Sequence, residues 1–282
     1  MFGYTRQAYH QHFITTQQSL FNDQIIAEQV KHIRSLQKHC GGKKLFLMLQ
    51  PFFKKHHLKI GRDALFKILK RQGLLIRKRK KNPVTTDSNH PFRKYPNLTV
   101  GLVLSKAHQL WVSDITYIPV ASEYAYLSLI TDAYSRKIIG FYLSEDMTAR
   151  SCSQALKMAI NQKPPQAATI HHSDRGMQYC SDIYTKMVLD NKMLISMTQN
   201  SDPYENAIAE RVNGILKAEF FPDMFTDLVT ARRAIARAVL TYNHHRLHAS
   251  LDMMTPDQAH VQKGELRKHW KSRYAGKEEL LQ

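Results

Sequence analysis

The sequence has few cysteines and no long apolar run, and both absences exclude classes of protein. Its three cysteines, Cys40, Cys152 and Cys180, lie far apart and form no CxxC pair, which excludes a disulfide framework and a cysteine-rich zinc site. No apolar stretch approaches the roughly 18–20 residues that span a bilayer. The first residues, MFGYTRQAYHQHF, include no apolar signal-peptide core. We therefore expect a protein of the reducing cytosol that has no membrane segment.

Acidic residues are scarce in the first third of the chain. The 282 residues include 41 Lys and Arg against 23 Asp and Glu, a net charge of +18. Residues 1–100 carry 20 basic and 4 acidic side chains, a difference of +16, whereas residues 101–282 carry 21 and 19, a difference of +2. The positive electrostatic potential of such a basic region attracts a polyanion, and nucleic acid is the commonest one. An acidic protein or an anionic membrane surface would be the alternative partner.

Helical periodicity marks this basic region. Apolar residues recur at helical spacing over 22–39, where Asn22 is the expected N-cap, and a short second helix is expected over 43–50. A third helix is predicted between Gly61 and Gly73. Four of its basic side chains face outward: Arg62, Lys67, Lys70 and Arg71. These features suit a helix-turn-helix and a small helical bundle with a solvated basic face about equally well.

A basic segment that contains prolines follows the helices. Five consecutive basic residues are candidates for contacts with DNA phosphates: Arg77, Lys78, Arg79, Lys80 and Lys81. The prolines and polar residues after them predict an extended linker that lies along the DNA backbone, where contacts position the protein without reading sequence. We therefore divide the chain into four parts: a helical DNA-binding domain 1–76, a linker 77–97, a larger domain 98–264 and a tail 265–282.

From residue 110 the hydrophobic period changes to that of strands. Three β-rich stretches come first, at 110–120, 124–135 and 137–146. Helices and strands then alternate, with helices at 148–162, 180–191, 204–220 and 229–245 and strands at 168–174 and 193–198. This order predicts an α/β fold in which helices pack on a sheet, as in a ribonuclease H-like core. Other α/β folds share the same coarse pattern.

Three carboxylates stand out in this second region. Asp114 lies inside the first strand between Val112 and Ile115, where a charge is costly unless it is paired or bound to a metal. Asp174 closes the fourth strand, and Glu210 lies within a helix after 35 intervening residues. Phosphoryl transfer uses Mg²⁺ ions held by such hard oxygen ligands. Each carboxylate alone suits a turn, a cap or a surface ion pair, but the three together favour a catalytic site.

Polar side chains accompany Glu210 along its helix. Lys217 follows it by seven residues, or two turns, so the two share a face of the helix, and Asn206 and Asn213 lie on that face too. Lys217 is therefore a candidate for contact with DNA phosphate; the alternative is an exposed ion pair along the helix. Asp132 is expected to be a structural turn residue. The adjacent histidine pairs of the chain lack the spacing of a zinc site.

Five segments of the second region form a recognisable set: WVSDITY at 111–117, TDAYSR at 131–136, HSDRG at 172–176, NAIAE at 206–210 with the following Leu-Lys pair, and YNHHRLH at 242–248 with the Thr-Pro pair after it. The set resembles the motifs of orfB-type insertion-sequence transposases, which have a retroviral-integrase (DDE) core, and it covers roughly 90–265. Residues 60–75 resemble the helix-turn-helix that precedes such cores. The chain departs from the family pattern at Glu205, where Asp is common, and at Leu247, where Pro is common.

The resemblance implies a DNA transposase whose ribonuclease H-like integrase core, a five-stranded mixed sheet with helices, follows a small all-α helix-turn-helix domain. Asp114, Asp174 and Glu210 would be the catalytic residues and would hold two Mg²⁺ ions, for which Mn²⁺ substitutes. Such an enzyme hydrolyses a phosphodiester at the end of its element, and the freed 3′-OH attacks target DNA without a covalent enzyme intermediate.

The same resemblance implies several partners. They are DNA, both as terminal repeats and as target duplex, further copies of the chain on that DNA, and an upstream orfA-type product, separate or fused. No membrane is implied, and the expected location is the bacterial cytoplasm in association with the nucleoid. Two other functions remain open: a stand-alone ribonuclease H-like nuclease, and an inactive DNA-binding repressor derived from a transposase.

Overall fold

The computed structural model describes residues 5–76, 91–199 and 206–267. Contacts within the chain divide it into two units, Met1–Lys80 and Lys81–Gln282. The five residues of the basic run lie outside the described residues: Arg77, Lys78, Arg79, Lys80 and Lys81. Within the described parts, no helix combines the length and the apolar character that crossing a bilayer requires.

The first unit is built from helices that surround a small apolar core. Its helices are α1 (Arg6–Leu36), α2 (Gly42–Met48), α3 (Gln50–Lys55) and α4 (Arg62–Arg71). The core comes from side chains on all four of them, including Ile26, Val30, Leu45, Phe53, Leu65 and Ile68. Nε of Arg71 donates to Oδ2 of the buried Asp23 at 3.0 Å and so fastens α4 to α1.

Helix α1 is far longer than the helix predicted over 22–39, and the assignment of Asn22 as its N-cap is wrong. The helix begins at Arg6, where the hydroxyl of Thr5 accepts a hydrogen bond from the amide of Ala8 at 3.2 Å. Residues 6–22 lack clear apolar periodicity, but they include no proline or glycine that would end a helix. Because nothing in this segment ends the helix, α1 extends back to its cap at Thr5 through residues that hydrophobic patterning does not mark.

The second unit contains the predicted mixed sheet. Its strands are β1 (Leu110–Val120), β2 (Glu123–Asp132), β3 (Ile138–Ser144), β4 (Ile170–Ser173) and β5 (Leu194–Met197). They lie in the order β3-β2-β1-β4-β5, with β1–β2 and β2–β3 antiparallel and β1–β4 and β4–β5 parallel. This arrangement confirms the predicted fold class and places β1 at the centre of the sheet.

Helices cover both faces of this sheet. One face packs against α5 (Ala149–Ile160), α6 (Met177–Cys180) and α7 (Asp182–Asp190), and the other packs against α8 (Ala207–Glu219) and α9 (Leu228–His245). The close approach of α5 depends on Gly140 in β3, because a Cβ atom there would lie 2.2 Å from the carbonyl oxygen of Ala155. The short helices α6 and α10 (Pro256–His260) had no counterpart in the sequence predictions.

Part of the predicted linker 77–97 belongs to this second unit. The ring of Tyr95 packs against the cluster beneath α5 and α7. The amide of Met197 donates to the carbonyl of Pro96 at 3.3 Å, and the amide of Leu98 donates to Oγ of Ser196 at 2.9 Å. Residues 95–97 therefore lie along β5.

The C-terminal motif at 242–248 is structural. The guanidinium of Arg246 is 4% exposed and pairs with both carboxylate oxygens of Glu219, at 2.9 and 2.7 Å. The hydroxyl of Tyr242 donates to the carbonyl of Arg136 at 3.0 Å, and the side-chain amide of Asn243 bonds to the backbone of Ile138 in both directions. These contacts hold α9 against α8 and against the turn between β2 and β3.

We expect Arg246→Ala to lower the free energy of unfolding by about 3–5 kcal/mol, because it removes the guanidinium that pairs with both oxygens of a largely buried carboxylate. Urea titration of the full chain measures this change. Arg233→Ala, at an exposed position of α9, is the matched control and should change the free energy by less than about 0.5 kcal/mol. Equal effects of the two substitutions would contradict a structural role for the pair.

Candidate active site

Parallel strand pairing brings Asp114 and Asp174 together. Val112 on β1 is the register partner of His172 on β4. Two residues further along each of these segments, Asp114 therefore lies beside Asp174. Strand β4 ends at Ser173, and the amide of Gly176 then donates to Oδ1 of Asp174 at 3.0 Å. One carboxylate therefore lies within a central strand, and the other lies in the turn just beyond its neighbour.

Two asparagines fasten the helix that carries Glu210 to strand β1. Nδ2 of Asn213 donates to Oδ2 of Asp114 at 2.8 Å, and Nδ2 of Asn206 donates to the carbonyl of Ser113 at 2.9 Å. Both asparagines are buried, and they flank Glu210 on one side of α8. The sequence placed them on this face but gave them no role, because a hydrogen bond across 93 or 99 residues leaves no local pattern.

The three carboxylates influence one another's ionisation. Loss of hydration, followed by the negative charge of Asp174 and then that of Glu210, raises the pKa of Asp114 to about 7, although the amide of Asn213 partly opposes this. Partial desolvation and the charge of Asp174 also raise the pKa of Glu210. Repulsion between carboxylates that share a small volume thus adds to the effect of desolvation.

The donor set fits a divalent cation whose remaining coordination positions are filled by water or by substrate phosphate. In the described parts of the chain, no three His, Cys, Asp or Glu side chains are arranged to hold a metal ion by themselves. Mg²⁺ in phosphoryl-transfer sites is commonly held by one or two carboxylates, and waters and substrate phosphates complete its shell. Asp114 and Asp174 match that pattern through strand pairing, and Glu210 offers a further oxygen donor from α8.

Lys217 lies within electrostatic reach of these acids, whereas the other proposed DNA-contact residues belong to the first unit. Burial lowers the pKa of Lys217, and the charge of Asp114 opposes that shift. The remaining described candidates are all exposed on α4: Arg62, Lys67, Lys70 and Arg71. Among them, Nε of Arg62 pairs with Asp63 at 3.0 Å, and Arg71 pairs with Asp23 as described above. Their contacts with DNA remain predictions.

Asp132 is structural, as the sequence predicted. It is fully buried and accepts hydrogen bonds from the amide of Ser135 at 2.8 Å, from the hydroxyl of Ser135 at 2.7 Å and from the amide of His108 at 2.6 Å. The buried pair His171 and His172 is likewise engaged with hydroxyl groups.

Family profiles and a solved structure define the class of the second unit. Two profiles described as integrase core domain match residues 105–203 and 191–256. A chain in the cryo-EM structure of the simian T-cell lymphotropic virus intasome in complex with PP2A regulatory subunit B56 gamma superposes with a TM-score of 0.50. The two chains are 18% identical, and the match covers 86% of this chain and 80% of that one. The fold is therefore that of the integrases.

Curated relatives narrow the class to a family. The insertion element IS600 uncharacterized 31 kDa protein of Shigella sonnei is 32% identical over 231 residues, which cover 81% of this chain and 83% of the relative. The transposase for insertion sequence element IS629 of the same organism is 30% identical over 206 residues, covering 72% and 68%. The chain belongs to the insertion-sequence transposases with an integrase core domain, which confirms the resemblance seen in its motifs.

The raised pKa of Asp114 predicts that Asp114→Asn stabilises the protein when no divalent metal is present. A folded pKa near 7, above the ordinary value of 3.8, means that the wild-type protein loses stability as pH rises between these values. The amide of Asn213 can still donate to the new side chain. We expect a gain of about 1–2 kcal/mol at pH 8, after discounting for solvent screening, and almost none at pH 4.

Thermal unfolding in chelator across pH 4–8 measures this difference. Glu123→Gln, at an exposed position of β2, is the matched control and should show no such trend. A pH-independent difference between Asp114→Asn and the wild type would contradict the raised pKa of Asp114.

Proposed function

We propose that this chain is a DNA transposase that cleaves the ends of an insertion sequence and joins the freed 3′-OH to target DNA by metal-dependent phosphoryl transfer. The observation that carries the proposal is the convergence of Asp114, Asp174 and Glu210 from β1, the end of β4 and α8, where the charge of Asp174 helps to raise the pKa of the other two. The relative that is named as a transposase supports the same reaction class.

In this proposal Asp114, Asp174 and Glu210 hold Mg²⁺, or Mn²⁺ in its place. The metal, when bound, would stabilise charge on the attacking and leaving oxygens of the phosphodiester. The side-chain amide of Asn213 orients Asp114 through a hydrogen bond of 2.8 Å. The side-chain amide of Asn206, through its bond to the carbonyl of Ser113, fixes the position of α8 against β1. Lys217 supplies a point charge for a DNA phosphate next to the carboxylates.

DNA is held mainly by the first unit. Helices α3 and α4 would act as a helix-turn-helix, and the exposed basic side chains of α4 and the basic run at 77–81 would contact phosphates. Residues 1–100 carry the excess of +16, whereas the part with the carboxylates is close to neutral. Several copies would assemble on the two element ends and the target duplex, and an upstream orfA-type product or fusion is a further proposed partner.

A strand-transfer assay separates the three candidate functions. With DNA ends of the cognate element and Mg²⁺, the proposed transposase gives joined product. A ribonuclease H-like nuclease gives hydrolysis without joining, and a repressor derived from a transposase gives binding alone. Hydrolysis or binding without any joined product would contradict the proposal.

Neutral isosteres of the three acids test the catalytic assignment. Asp114→Asn, Asp174→Asn and Glu210→Gln should each reduce cleavage and joining by at least about 10³-fold, because amides are poor ligands for Mg²⁺. Binding to duplex DNA should remain within about twofold of wild type, because the basic first unit is unchanged. Near-normal joining by any one of these variants would remove that residue from the site.

Lys217→Ala tests the proposed phosphate contact. We expect weaker crosslinking to DNA near the element end, less strand transfer and a decrease of about 1 in the salt slope of binding, with unchanged thermal stability. Lys186→Ala, at an exposed position of α7, is the control and should behave as wild type. Strand transfer at the wild-type level by Lys217→Ala throughout a salt titration would show that this lysine has no such role.

A further inference from the structure

A buried chain of hydrogen bonds joins the three elements that carry the carboxylates. Its centre is His171 on β4, whose Nε2 lies 2.8 Å from Oγ of Ser113 on β1 and 2.9 Å from the hydroxyl of Tyr184 on α7. The carbonyl of Ser113 in turn accepts from Nδ2 of Asn206, at the start of α8, at 2.9 Å. All four side chains are buried, and none is more than 6% exposed.

Three of the four hydrogen-bonded residues precede a carboxylate by a few residues along the chain. Ser113 immediately precedes Asp114, His171 precedes the second acid by three residues, and Asn206 precedes Glu210 by four, about one helical turn. A change of a few tenths of an ångström in any of these bonds therefore shifts a segment that ends at a carboxylate. The fourth residue, Tyr184, lies on α7, which provides none of the three carboxylates, and it connects the hydrogen-bonded residues to that helix.

The hydrogen-bonded side chains lie in an otherwise apolar part of the core, so their polarity needs a reason. Tyr184 belongs to an apolar cluster with Trp111, Met197 and other buried side chains, where groups able to hydrogen-bond are costly unless they find partners. Burial, aided by the neighbouring His172, lowers the pKa of His171 to about 3, so the ring is neutral and one of its nitrogens can accept a hydrogen bond. Directional bonds in a dry core fix distances between strands more narrowly than apolar packing does.

We propose that Tyr184, His171, Ser113 and Asn206 form a positioning network that sets the separation of the three carboxylates and thereby the affinity of the site for divalent metal. This inference rests on the proposed function, because it takes the carboxylates to be metal ligands. The four residues touch neither metal nor DNA in this account. They act through the backbone of β1, β4 and α8.

Two neighbouring tyrosines provide a matched pair of variants. Tyr184→Phe removes the hydroxyl at the end of the network and leaves the ring in place. Tyr179→Phe removes the hydroxyl of an equally buried ring whose centroid lies 5.2 Å from that of Tyr184. Within the described residues, the hydroxyl of Tyr179 has no hydrogen-bond partner. The two variants therefore make the same chemical change in the same cluster, one inside the network and one outside it.

The measurement is Mn²⁺ binding by the 282-residue chain without DNA, monitored by the loss of the free Mn²⁺ signal in electron paramagnetic resonance. Second-layer partners of metal ligands typically change affinity by 10–100-fold, and we expect about three- to tenfold weaker binding for Tyr184→Phe because the network acts through the backbone. Tyr179→Phe should stay within about twofold of wild type, and circular dichroism should report both variants as folded.

Two outcomes would overturn the inference alone. One is wild-type Mn²⁺ affinity in folded Tyr184→Phe. The other is equal weakening by Tyr179→Phe, because the hydroxyl of Tyr179 lies outside the network although it is within electrostatic reach of Asp174 and Asp114. Failure of the wild-type chain to bind Mn²⁺ would overturn the metal role in the proposed function, and the inference with it. Weaker binding confined to Tyr184→Phe would support both.

Discussion

Burial of one carboxylate beside two others is the constraint on which the second unit of this protein depends. Desolvation first, and then the charge of Asp174, raises the pKa of Asp114 to about 7. Parallel pairing of β1 with β4 fixes these two acids, and the hydrogen bonds from Asn206 and Asn213 draw the helix of Glu210 against the same strand. The fold thus places carboxylates close together at a point where a bound divalent cation would stabilise their ionised forms.

Much of the remaining structure supports that arrangement from a distance. The pair between Arg246 and Glu219 joins the end of α8 to the segment after α9, and Asn243 ties α9 to β3. The motif at 242–248 therefore contributes to the site through the helix it braces and not through contact with the acids. The charge of the chain is divided as well, because the first 100 residues carry a net charge of +16 while the nearly neutral remainder holds the acids.

Strong local signals made most of the core predictable from sequence. Strand β1 has the predicted bounds because β-branched and aromatic residues are concentrated between Leu110 and Val120, and Asp114 stood out as a charge within it. The start of α1 was missed because residues 6–22 lack clear apolar periodicity, although they include no proline or glycine that would end a helix. The role of Asn213 could not be read from sequence, since its bond to Asp114 joins residues 99 apart. The hydrogen-bond network around His171 was not predicted either, because its members also lie far apart in the sequence.

Anomalous diffraction from crystals of the full chain soaked in Mn²⁺ tests the central claim most directly. If the sheet and α8 bring these acids together to hold a divalent cation, an anomalous peak will lie within bonding distance, about 2.0–2.2 Å, of carboxylate oxygens of Asp114 and Asp174. Glu210 will lie on the same side of β1, close enough to complete the shell directly or through water. A peak bound elsewhere, or none in crystals that retain this fold, would contradict the account.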